Sequence, residues 1–277
     1  MTLPITHVDV FSDTALCGNP VAVVHDADGL SEERMQLFAR WTNLSETTFL
    51  LRPTVPEADY RVRIFTPGAE LPFAGHPTLG TCQAWLHRLG QTGTKREVIQ
   101  QCQAGLIRIR VNGTQAAFAA PPLLTDSPDE DVLTPVLAAL GLGRSKVLAA
   151  SWLDNGTKWL GLQLDASQTV LDIEPDHALL AALCKVGVIG RTAAGSDVLF
   201  EVRAFAASIG VPEDPVTGSL NAGFAVWMAS RGETPPSYRV AQGTRLGRLG
   251  RLGIDREGET IWVGGNTSIC ITGSAEL

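Results

Sequence analysis

The sequence has few charged residues and no cluster of basic ones. Charged side chains make up 18% of the 277 residues, and the formal net charge is −7. Because neutralising a phosphate backbone requires clustered Lys or Arg, this composition argues against a nucleic-acid partner. An anionic small molecule would have to be held by a local Arg, a hydroxyl group or the backbone amides at a helix start.

Long apolar runs and paired cysteines are also missing. No stretch approaches the roughly 18 apolar residues of a membrane-spanning helix, and the first residues lack the basic-then-apolar order of a signal peptide. The 5 cysteines are scattered without a C-x-x-C pair, at positions 17, 82, 102, 184 and 270. We therefore predict a cytoplasmic protein with reduced thiols and no membrane partner.

Motifs for metals, nucleotides and serine nucleophiles are not found either. There is no H-x-x-x-H, no Asp cluster that suggests a metal site, and no G-x-S-x-G. The Gly-rich segment 141–146 lacks the spacing of a phosphate-binding loop and is typical of a helix end. These motifs therefore indicate neither a metal site nor a phosphate-binding or dinucleotide-binding loop.

Glycine, proline and short alternating runs are abundant instead. Gly (28) and Pro (16) are plentiful, and residues 60–65 and 106–111 alternate as half-buried strands do. Ser31 is a typical N-cap for one helix, and a second helix is predicted over 135–140. The mixture predicts an α+β fold in which strands dominate. Further strands are predicted at 5–11, 20–24, 47–51, around 147, and at 159–164, 198–205, 238–240, 260–263 and 268–271.

A weak internal repeat relates the two halves of the chain, because residues 70–80 align with 213–223. Its matching pairs are Glu70/Glu213, Pro72/Pro215, Gly75/Gly218 and Gly80/Gly223. Most of these are Gly or Pro, so chance is the alternative, but the Pro-, Asp- and Ser-rich segment 121–131 lies centrally, as a linker would. We predict an N-terminal half-domain over 1–122 and a C-terminal half-domain over 123–277, whose last strand is able to pack back on the first half.

Both copies of the repeat lead into an apolar helix. Pro77 suits the first turn of one helix and Gly90 its end, while the other helix stops near Gly232. Each is apolar on nearly every face, which predicts burial inside a surrounding sheet. Gly80 and Gly223 lie within these helices, where glycine is unfavourable by about 1 kcal/mol relative to alanine. We expect another backbone to approach closely there.

Two such helices would present their N-termini to a cleft between the half-domains. Gly75-His76 and Gly218-Ser219 would form these termini, whose amide groups and positive dipole ends suit a carboxylate. The sequence therefore predicts an anion site that does not depend on arginine.

Residues near these termini allow both chemical and structural interpretations. Glu46 could be a general base whose pKa is raised by burial, or a turn residue, and the pattern alone favours the turn. His76 would donate a hydrogen bond to substrate or merely begin a helix. Asp214 would bind a substrate hydroxyl or amine, or tie down its loop. Ser219 is more typical of an N-cap, and Asn19 of a turn.

Several segments together resemble the PhzF family of phenazine-biosynthesis-like proteins. They are VDVF (8–11), GNPVAV (18–23), NLSE (43–46), RIFTP (63–67), PFAGHP (72–77) and EDPVTGS (213–219). The resemblance covers nearly the whole chain and implies a diaminopimelate-epimerase-like fold. In that fold, two pseudo-symmetric half-domains each close a curved sheet or barrel around a central helix. The resemblance also implies a cofactor-independent isomerase that forms a homodimer.

The resemblance further implies roles for individual residues. Glu46 would be the acid/base, with His76 and Asp214 as its neighbours in the site. The substrate pocket would be lined by Asn19, Ser45, Gly75, Gly218 and Ser219. In the enzyme that gives the family its name, the substrate is trans-2,3-dihydro-3-hydroxyanthranilate, and a carboxylate moves a proton between two ring carbons.

The chain departs from related patterns at a few positions. Leu220 and Asn221 are bulkier than the residues expected after the serine, and Thr78 differs as well, so these changes could reshape the pocket. Racemases of the same fold use one cysteine at each helix start, whereas this chain has Ala74 at the first place and no cysteine over 213–219. A two-thiol mechanism is therefore not expected.

Our leading hypothesis is an isomerase that shifts a proton on a small carboxylate substrate through Glu46. Two alternatives are open at this point. One is an epimerase or lyase that uses the same carboxylate, and the other is a small-molecule binding protein without turnover.

Overall fold

The computed structural model describes residues 1–91, 93 and 95–277. The chain forms two compact units, Met1–Ala119 with Gly264–Leu277, and Ala120–Val263. Its strands are β1 (Thr2–Val10), β2 (Asn19–Val24), β3 (Glu46–Leu51), β4 (Tyr60–Phe65), β5 (Glu70–Leu71), β6 (Lys95–Cys102), β7 (Gly105–Asn112), β8 (Gln115–Ala119), β9 (Leu124–Asp126), β10 (Val147–Asp154), β11 (Lys158–Leu164), β12 (Val186–Arg191), β13 (Phe200–Ala206), β14 (Val211–Asp214), β15 (Ser237–Gln242), β16 (Gly250–Glu257) and β17 (Thr260–Glu276). Its helices are α1 (Glu32–Thr42), α2 (Gly75–Arg88), α3 (Glu130–Ala139), α4 (Ser167–Leu171), α5 (His177–Ala181) and α6 (Gly218–Ser230). Over the described residues, no helix combines the length and the apolar character needed to cross a membrane.

The sheet of the first unit closes on itself around α2. Strand β1 pairs antiparallel with both β17 and β2, β2 pairs parallel with β3, and β3 pairs antiparallel with β4. The sheet continues from β4 through β6 and β7 to β8, which pairs with β17. Helix α2 contacts β1, β2, β3, β6 and β8, and nearly all of its side chains are buried. The first unit is therefore a barrel with a central helix, as predicted.

Local sequence signals account for the elements of this barrel. The alternating residues Tyr60, Val62 and Ile64 are buried in β4, which spans the predicted range. The hydroxyl of Ser31 caps α1 by accepting a hydrogen bond from the amide of Arg34 at 3.3 Å. Helix α2 is followed by Gly90 with a φ of 66°, a left-handed conformation that suits glycine.

The second unit repeats the topology of the first. Strand β10 pairs antiparallel with β11, β11 parallel with β12, and β12 antiparallel with β13. Strand β13 then pairs parallel with β15, and β15 antiparallel with β16. The same order of directions runs through β1, β2, β3, β4, β6 and β7, with short β5 and β14 beside β4 and β13. Helix α6 takes the place of α2, so the predicted internal repeat corresponds to two units of one topology.

The Glu70/Glu213 match has a structural cause, an arginine clamp that both units contain. Arg63 on β4 donates from Nε and Nη2 to the two carboxylate oxygens of Glu70, at 2.7 and 2.6 Å. Arg203 on β13 donates in the same way to Glu213, at 2.9 Å for both bonds. Each guanidinium also lies over the ring of the phenylalanine two residues later. The clamps tie the short strands before α2 and α6 to their long neighbours.

The two helix glycines face side chains, and the predicted close approach of a backbone is wrong. A Cβ added at Gly80 would lie 2.3 Å from Cγ1 of Val21 on β2. At Gly223 the nearest atom would be Cβ of Leu153, at 3.4 Å. Glycine therefore makes room for a β-branched side chain at position 80, whereas position 223 has space for a methyl group.

Three predicted boundaries also need correction. Helix α3 begins at Glu130 and not at 135. Pro135 lies inside the helix, where its missing amide removes only one helical hydrogen bond. The segment 121–131, predicted as a linker, contains β9, which pairs with β10. The two strands predicted at 260–263 and 268–271 are one strand, β17, in which Gly264 passes so close to Ala116 that a Cβ would lie 2.5 Å from its carbonyl oxygen.

Candidate active site

In the first unit, strand register brings Glu46 and Asn19 to the start of α2. Glu46 is the first residue of β3, follows Ser45, and has a side chain that is 13% exposed. It pairs in parallel register with Val21 of β2, whose side chain points at Gly80 in α2. Side chains two residues apart on a strand share a face, so Asn19 points towards the same helix as Val21.

His76 joins these two residues. It is the second residue of α2 and only 2% exposed. Its Nδ1 atom lies 3.3 Å from Oε2 of Glu46 and 3.4 Å from Nδ2 of Asn19. Without a proton on Nδ1, the ring accepts a hydrogen bond from the Asn19 amide and carries its proton on Nε2. Three of the residues singled out from the sequence therefore lie in contact.

Burial decides the charge state of His76. Desolvation lowers the pKa of His76 from 6.5 to about 3, and a hydrogen bond to the backbone of Pro20 opposes only part of this shift. The imidazole is therefore neutral at neutral pH. A neutral ring beside Glu46 adds no positive charge, whereas a cation there would favour the charged carboxylate.

A buried carboxylate that the sequence analysis did not single out holds the turn before Asn19. Asp9 on β1 is 3% exposed and accepts a hydrogen bond from the amide of Gly18 at 2.9 Å. A Cβ at Gly18 would lie 2.2 Å from the carbonyl oxygen of Val10, so the turn needs glycine. The VDVF segment was the available signal for Asp9, since a charged residue between valines of a buried strand needs a partner.

The start of α2 has no side-chain cap. Gly75 is the first helical residue, and Ala74 at the N-cap position has a φ of −150° and a ψ of 141°. Alanine cannot bond to the amides of the first turn, whereas Ser, Thr, Asp or Asn would. These amides and the positive end of the helix dipole suit a bound carboxylate.

In the second unit, Asp214, Gly218 and Ser219 lie together at the start of α6. Asp214 ends β14, and Gly218 and Ser219 open the helix. Asp214 is 8% exposed and Ser219 is 5% exposed. Thr217 occupies the N-cap position, but its hydroxyl group donates to Oδ2 of Asp214 at 2.5 Å and makes no cap. The hydroxyl is therefore committed to the carboxylate.

Two buried amides that the sequence analysis did not single out support this helix start. Asn155, in the turn between β10 and β11, donates from Nδ2 to the carbonyl oxygen of Ser219 at 2.8 Å. Gln242, the last residue of β15, accepts a hydrogen bond from the amide of Thr217 at 3.0 Å. Their partners are 64 and 25 residues away in the chain, so no local pattern could indicate them.

The residues that depart from the family pattern pack inside their own units. Thr78 is fully buried and accepts a hydrogen bond from Nε2 of Gln100 at 2.9 Å. Leu220 fills the space left by Gly187, where a Cβ would lie 2.3 Å from a leucine methyl group. Asn221 donates to the backbone carbonyl one helical turn earlier, at 2.9 Å. The larger side chains at these positions therefore pack against other residues of their own unit.

The structure also bears on thiol and metal chemistry. Cys82 lies within α2 and is fully buried, and burial raises its pKa to about 12, so it is not a thiolate at neutral pH. All five cysteines are free. Across residues 1–91, 93 and 95–277, His, Cys, Asp and Glu side chains form no group of three that could hold a metal ion.

Known proteins resemble the chain along its whole length. The phenazine biosynthesis-like (PhzC-PhzF) family model matches residues 8–276. A Schizosaccharomyces pombe protein named antisense-enhancing sequence 1 is 39% identical and is matched over 97% of both chains. The trans-2,3-dihydro-3-hydroxyanthranilate isomerase of Pseudomonas aeruginosa is 34% identical over 98% of both chains.

Two solved structures show the same fold. A PhzF-family phenazine biosynthesis protein of Bacillus anthracis superposes with a TM-score of 0.85 at 23% identity, covering 100% of each chain. A hydroxyproline epimerase of Agrobacterium vitis reaches a TM-score of 0.68 at 12% identity, covering 99% of this chain and 91% of its own. The predicted epimerase-like α+β fold is thereby confirmed.

Proposed function

From the premise that the chain belongs to the phenazine biosynthesis-like (PhzC-PhzF) family and is an isomerase, we propose that it shifts a proton within a small carboxylate substrate. Glu46 is the proposed general acid and base. The relatives named as trans-2,3-dihydro-3-hydroxyanthranilate isomerases make that compound the first substrate to test.

One observation carries this proposal, the contact between Glu46 and His76. The carboxylate oxygen and the imidazole Nδ1 are 3.3 Å apart, at the uncapped start of α2. The ring is neutral, and the Glu46 side chain is mostly buried yet still reached by solvent. A general base requires access to a substrate, and a neutral imidazole beside Glu46 adds no positive charge that would keep the carboxylate ionised.

The proposed reaction balances without an oxidant or a reductant. The Glu46 carboxylate removes a proton from one carbon, and the electron pair of that C–H bond enters the shifted double bond. The carboxylic acid of Glu46 then returns the proton to a second carbon of the same molecule. Substrate and product therefore have the same atoms and the same number of electrons, so we propose no cofactor for this step.

Each remaining residue has a proposed task. The amides at Gly75 would bind the substrate carboxylate, and neutral His76 would donate a hydrogen bond to the substrate. Asp214 would accept a hydrogen bond from a substrate hydroxyl or amino group. The proposed pocket-lining residues are Asn19, Ser45, Gly218 and Ser219.

Proton NMR in D₂O tests the reaction and its base together. Native protein should make a ring proton of trans-2,3-dihydro-3-hydroxyanthranilate migrate or exchange with deuterium. Glu46→Gln should lower the rate by about 10²-fold or more, because the base is lost while the side-chain shape is kept. Glu57→Gln, which changes an exposed carboxylate of the same unit, should leave the rate unchanged.

The same spectra separate the alternatives. Deuterium exchange without double-bond migration, together with inversion seen by chiral analysis, would point to an epimerase. Binding of the compound without any exchange would point to a binding protein. A Glu46→Gln protein that retains the native rate would reject the assigned base.

The family resemblance also leads us to propose a cytoplasmic homodimer. The chain has a mass of 29.5 kDa. Sedimentation equilibrium should give twice this mass for the dimer, and the monomer mass at micromolar concentration would rule it out.

A further inference from the structure

The amide of Gln242 is the centre of a saturated hydrogen-bond network around Asp214. Gln242 is completely buried. Its Oε1 accepts from the Thr217 amide at 3.0 Å and from Nδ2 of Asn221 at 2.8 Å. Its Nε2 donates to the Asp214 carbonyl oxygen at 3.1 Å and to Oγ1 of Thr217 at 2.9 Å. Two donors and two acceptors exhaust the capacity of a glutamine amide.

The backbone of the turn dictates the orientation of this amide. One end of the turn offers the carbonyl oxygen of Asp214, which needs a donor, and the other offers the N–H of Thr217, which needs an acceptor. A side-chain amide presents both at once. A flipped amide would place oxygen against oxygen and N–H against N–H, so the observed orientation of Gln242 is the only stable one.

A relay of donors leads from this amide to the Asp214 carboxylate. Nε2 of Gln242 donates to the hydroxyl oxygen of Thr217, so the hydroxyl proton is directed to Oδ2 of Asp214, at 2.5 Å. Hydrogen bonds in such a chain polarise one another and strengthen together. Asn221 restrains the Gln242 side chain, because its Nδ2 donates hydrogen bonds to both Oε1 of Gln242 and the Thr217 carbonyl oxygen.

The first unit also places a buried amide on the corresponding strand, but two residues earlier in the register. Gln100 on β6 is also fully buried, and β6 corresponds to β15 in the repeated topology. Its amide bonds to side chains, the hydroxyl groups of Thr78 at 2.9 Å and Tyr60 at 3.1 Å. Gln242 instead forms hydrogen bonds with the backbone of the turn that carries Asp214. Gln100 therefore links its strand to the central helix without bonding to the backbone turn before that helix. The backbone contacts of Gln242 are not needed for such a link.

We propose that Gln242, acting through Thr217 and Asn221, is a positioning residue that sets the orientation of the Asp214 carboxylate for catalysis. The inference rests on the proposed function of Asp214 as a substrate ligand. Loss of the Thr217 hydroxyl bond removes one restraint on the side-chain torsions of the carboxylate, and a misplacement of about 1 Å can lower a rate about 10²-fold.

A pair of substitutions at Thr217 tests the relay. Thr217→Val keeps the shape of the side chain and removes the hydroxyl group, and kcat should fall about 10²-fold. Thr217→Ser keeps the hydroxyl group and should restore kcat to within about threefold of native. Equal kcat values for the Val, Ser and native proteins would overturn the proposal.

Gln242→Met and Asn221→Ala test the origin of the relay, with Ser151→Ala as the matched control. Ser151 is a buried hydroxyl of the same unit that donates to backbone carbonyls at 3.2 and 2.9 Å, on β10. All three variants should lower Tm. Only the first two should lower kcat at a temperature where all are folded, and an unchanged kcat in both would overturn the proposal.

Two further measurements separate this proposal from the proposed function. Asp214→Asn should lose at least as much kcat as Thr217→Val, and full activity would remove the role of Asp214 and the positioning with it. Hydrogen exchange of the Thr217 amide needs no substrate and should accelerate at least tenfold in Gln242→Met. Unchanged exchange would overturn the proposal even if the native protein turned over no test substrate.

Discussion

Replacing the two buried helix glycines by alanine should change stability in opposite directions. Gly80 in α2 and Gly223 in α6 occupy matching positions of the internal repeat. Alanine within a helix is favoured over glycine by up to about 1 kcal/mol, and this gain applies to both sites. What differs is the space that each site leaves for the added methyl group.

The structure assigns a sign to each substitution. At Gly80 the methyl carbon would lie 2.3 Å from Val21 and 3.1 Å from Val10, two β-branched side chains with little rotamer freedom. Overpacking costs about 1–3 kcal/mol, and a contact of 2.3 Å belongs to the upper half of that range, so Gly80→Ala should destabilise the protein by about 1–2 kcal/mol after the helix gain of about 1 kcal/mol. At Gly223 the nearest atom is at 3.4 Å, an ordinary contact, so Gly223→Ala should stabilise it by about 0.5–1 kcal/mol.

Thermal unfolding and hydrogen exchange measure both effects. In a chain of this size 1 kcal/mol corresponds to about 2–4 °C in Tm, so the two variants should lie on opposite sides of the native protein. Hydrogen exchange of amides in α2 and in α6 assigns each change to its own unit. A Gly80→Ala protein as stable as the native one, or a Gly223→Ala protein clearly less stable, would refute the packing argument.

The arginine clamps and a buried carboxyl group give two more predictions. Arg203→Met should destabilise the protein by about 3–5 kcal/mol, because it leaves a buried carboxylate without its partner, whereas Arg63→Met, at a side chain 26% exposed, should cost about 1 kcal/mol. Equal shifts of the urea midpoint would contradict this. Burial raises the pKa of Glu201 from 4.5 to about 7, so its contribution to stability is complete below pH 4.5 and is lost as the pH rises through 7. Glu201→Gln should therefore raise Tm at pH 8 and not at pH 4.5, and no gain at pH 8 would reject the burial effect.

The sequence by itself determined the local elements and the duplicated architecture. Alternating apolar residues predicted β4 to its ends, and Ser31 marked the start of α1. The paired Glu, Pro and Gly positions revealed the repeat, because each unit needs the same clamp and the same turn into its central helix. These signals act between residues close in the chain, so they can be read without knowing the fold.

Predictions from local sequence failed where a contact between residues distant in the chain determines the structure. Two separate strands are predicted at 260–263 and 268–271, yet β17 runs through both, and it has glycine at 264 because Ala116 leaves no room for a Cβ there. Gly80 suggested a nearby backbone, and the neighbour is the side chain of Val21. Composition cannot distinguish such cases, since a glycine that ends an element and a glycine that allows a close approach are the same residue.

Only the tertiary structure decided which polar residues act together. The sequence pattern favoured a turn role for Glu46, and its contact with His76 follows from the parallel register of β2 and β3 around α2. Gln242 belonged to no motif, although it holds the turn that carries Asp214. Contacts of this kind form when a closed barrel brings strand ends to the start of its central helix, and barrel closure is a property of the whole unit.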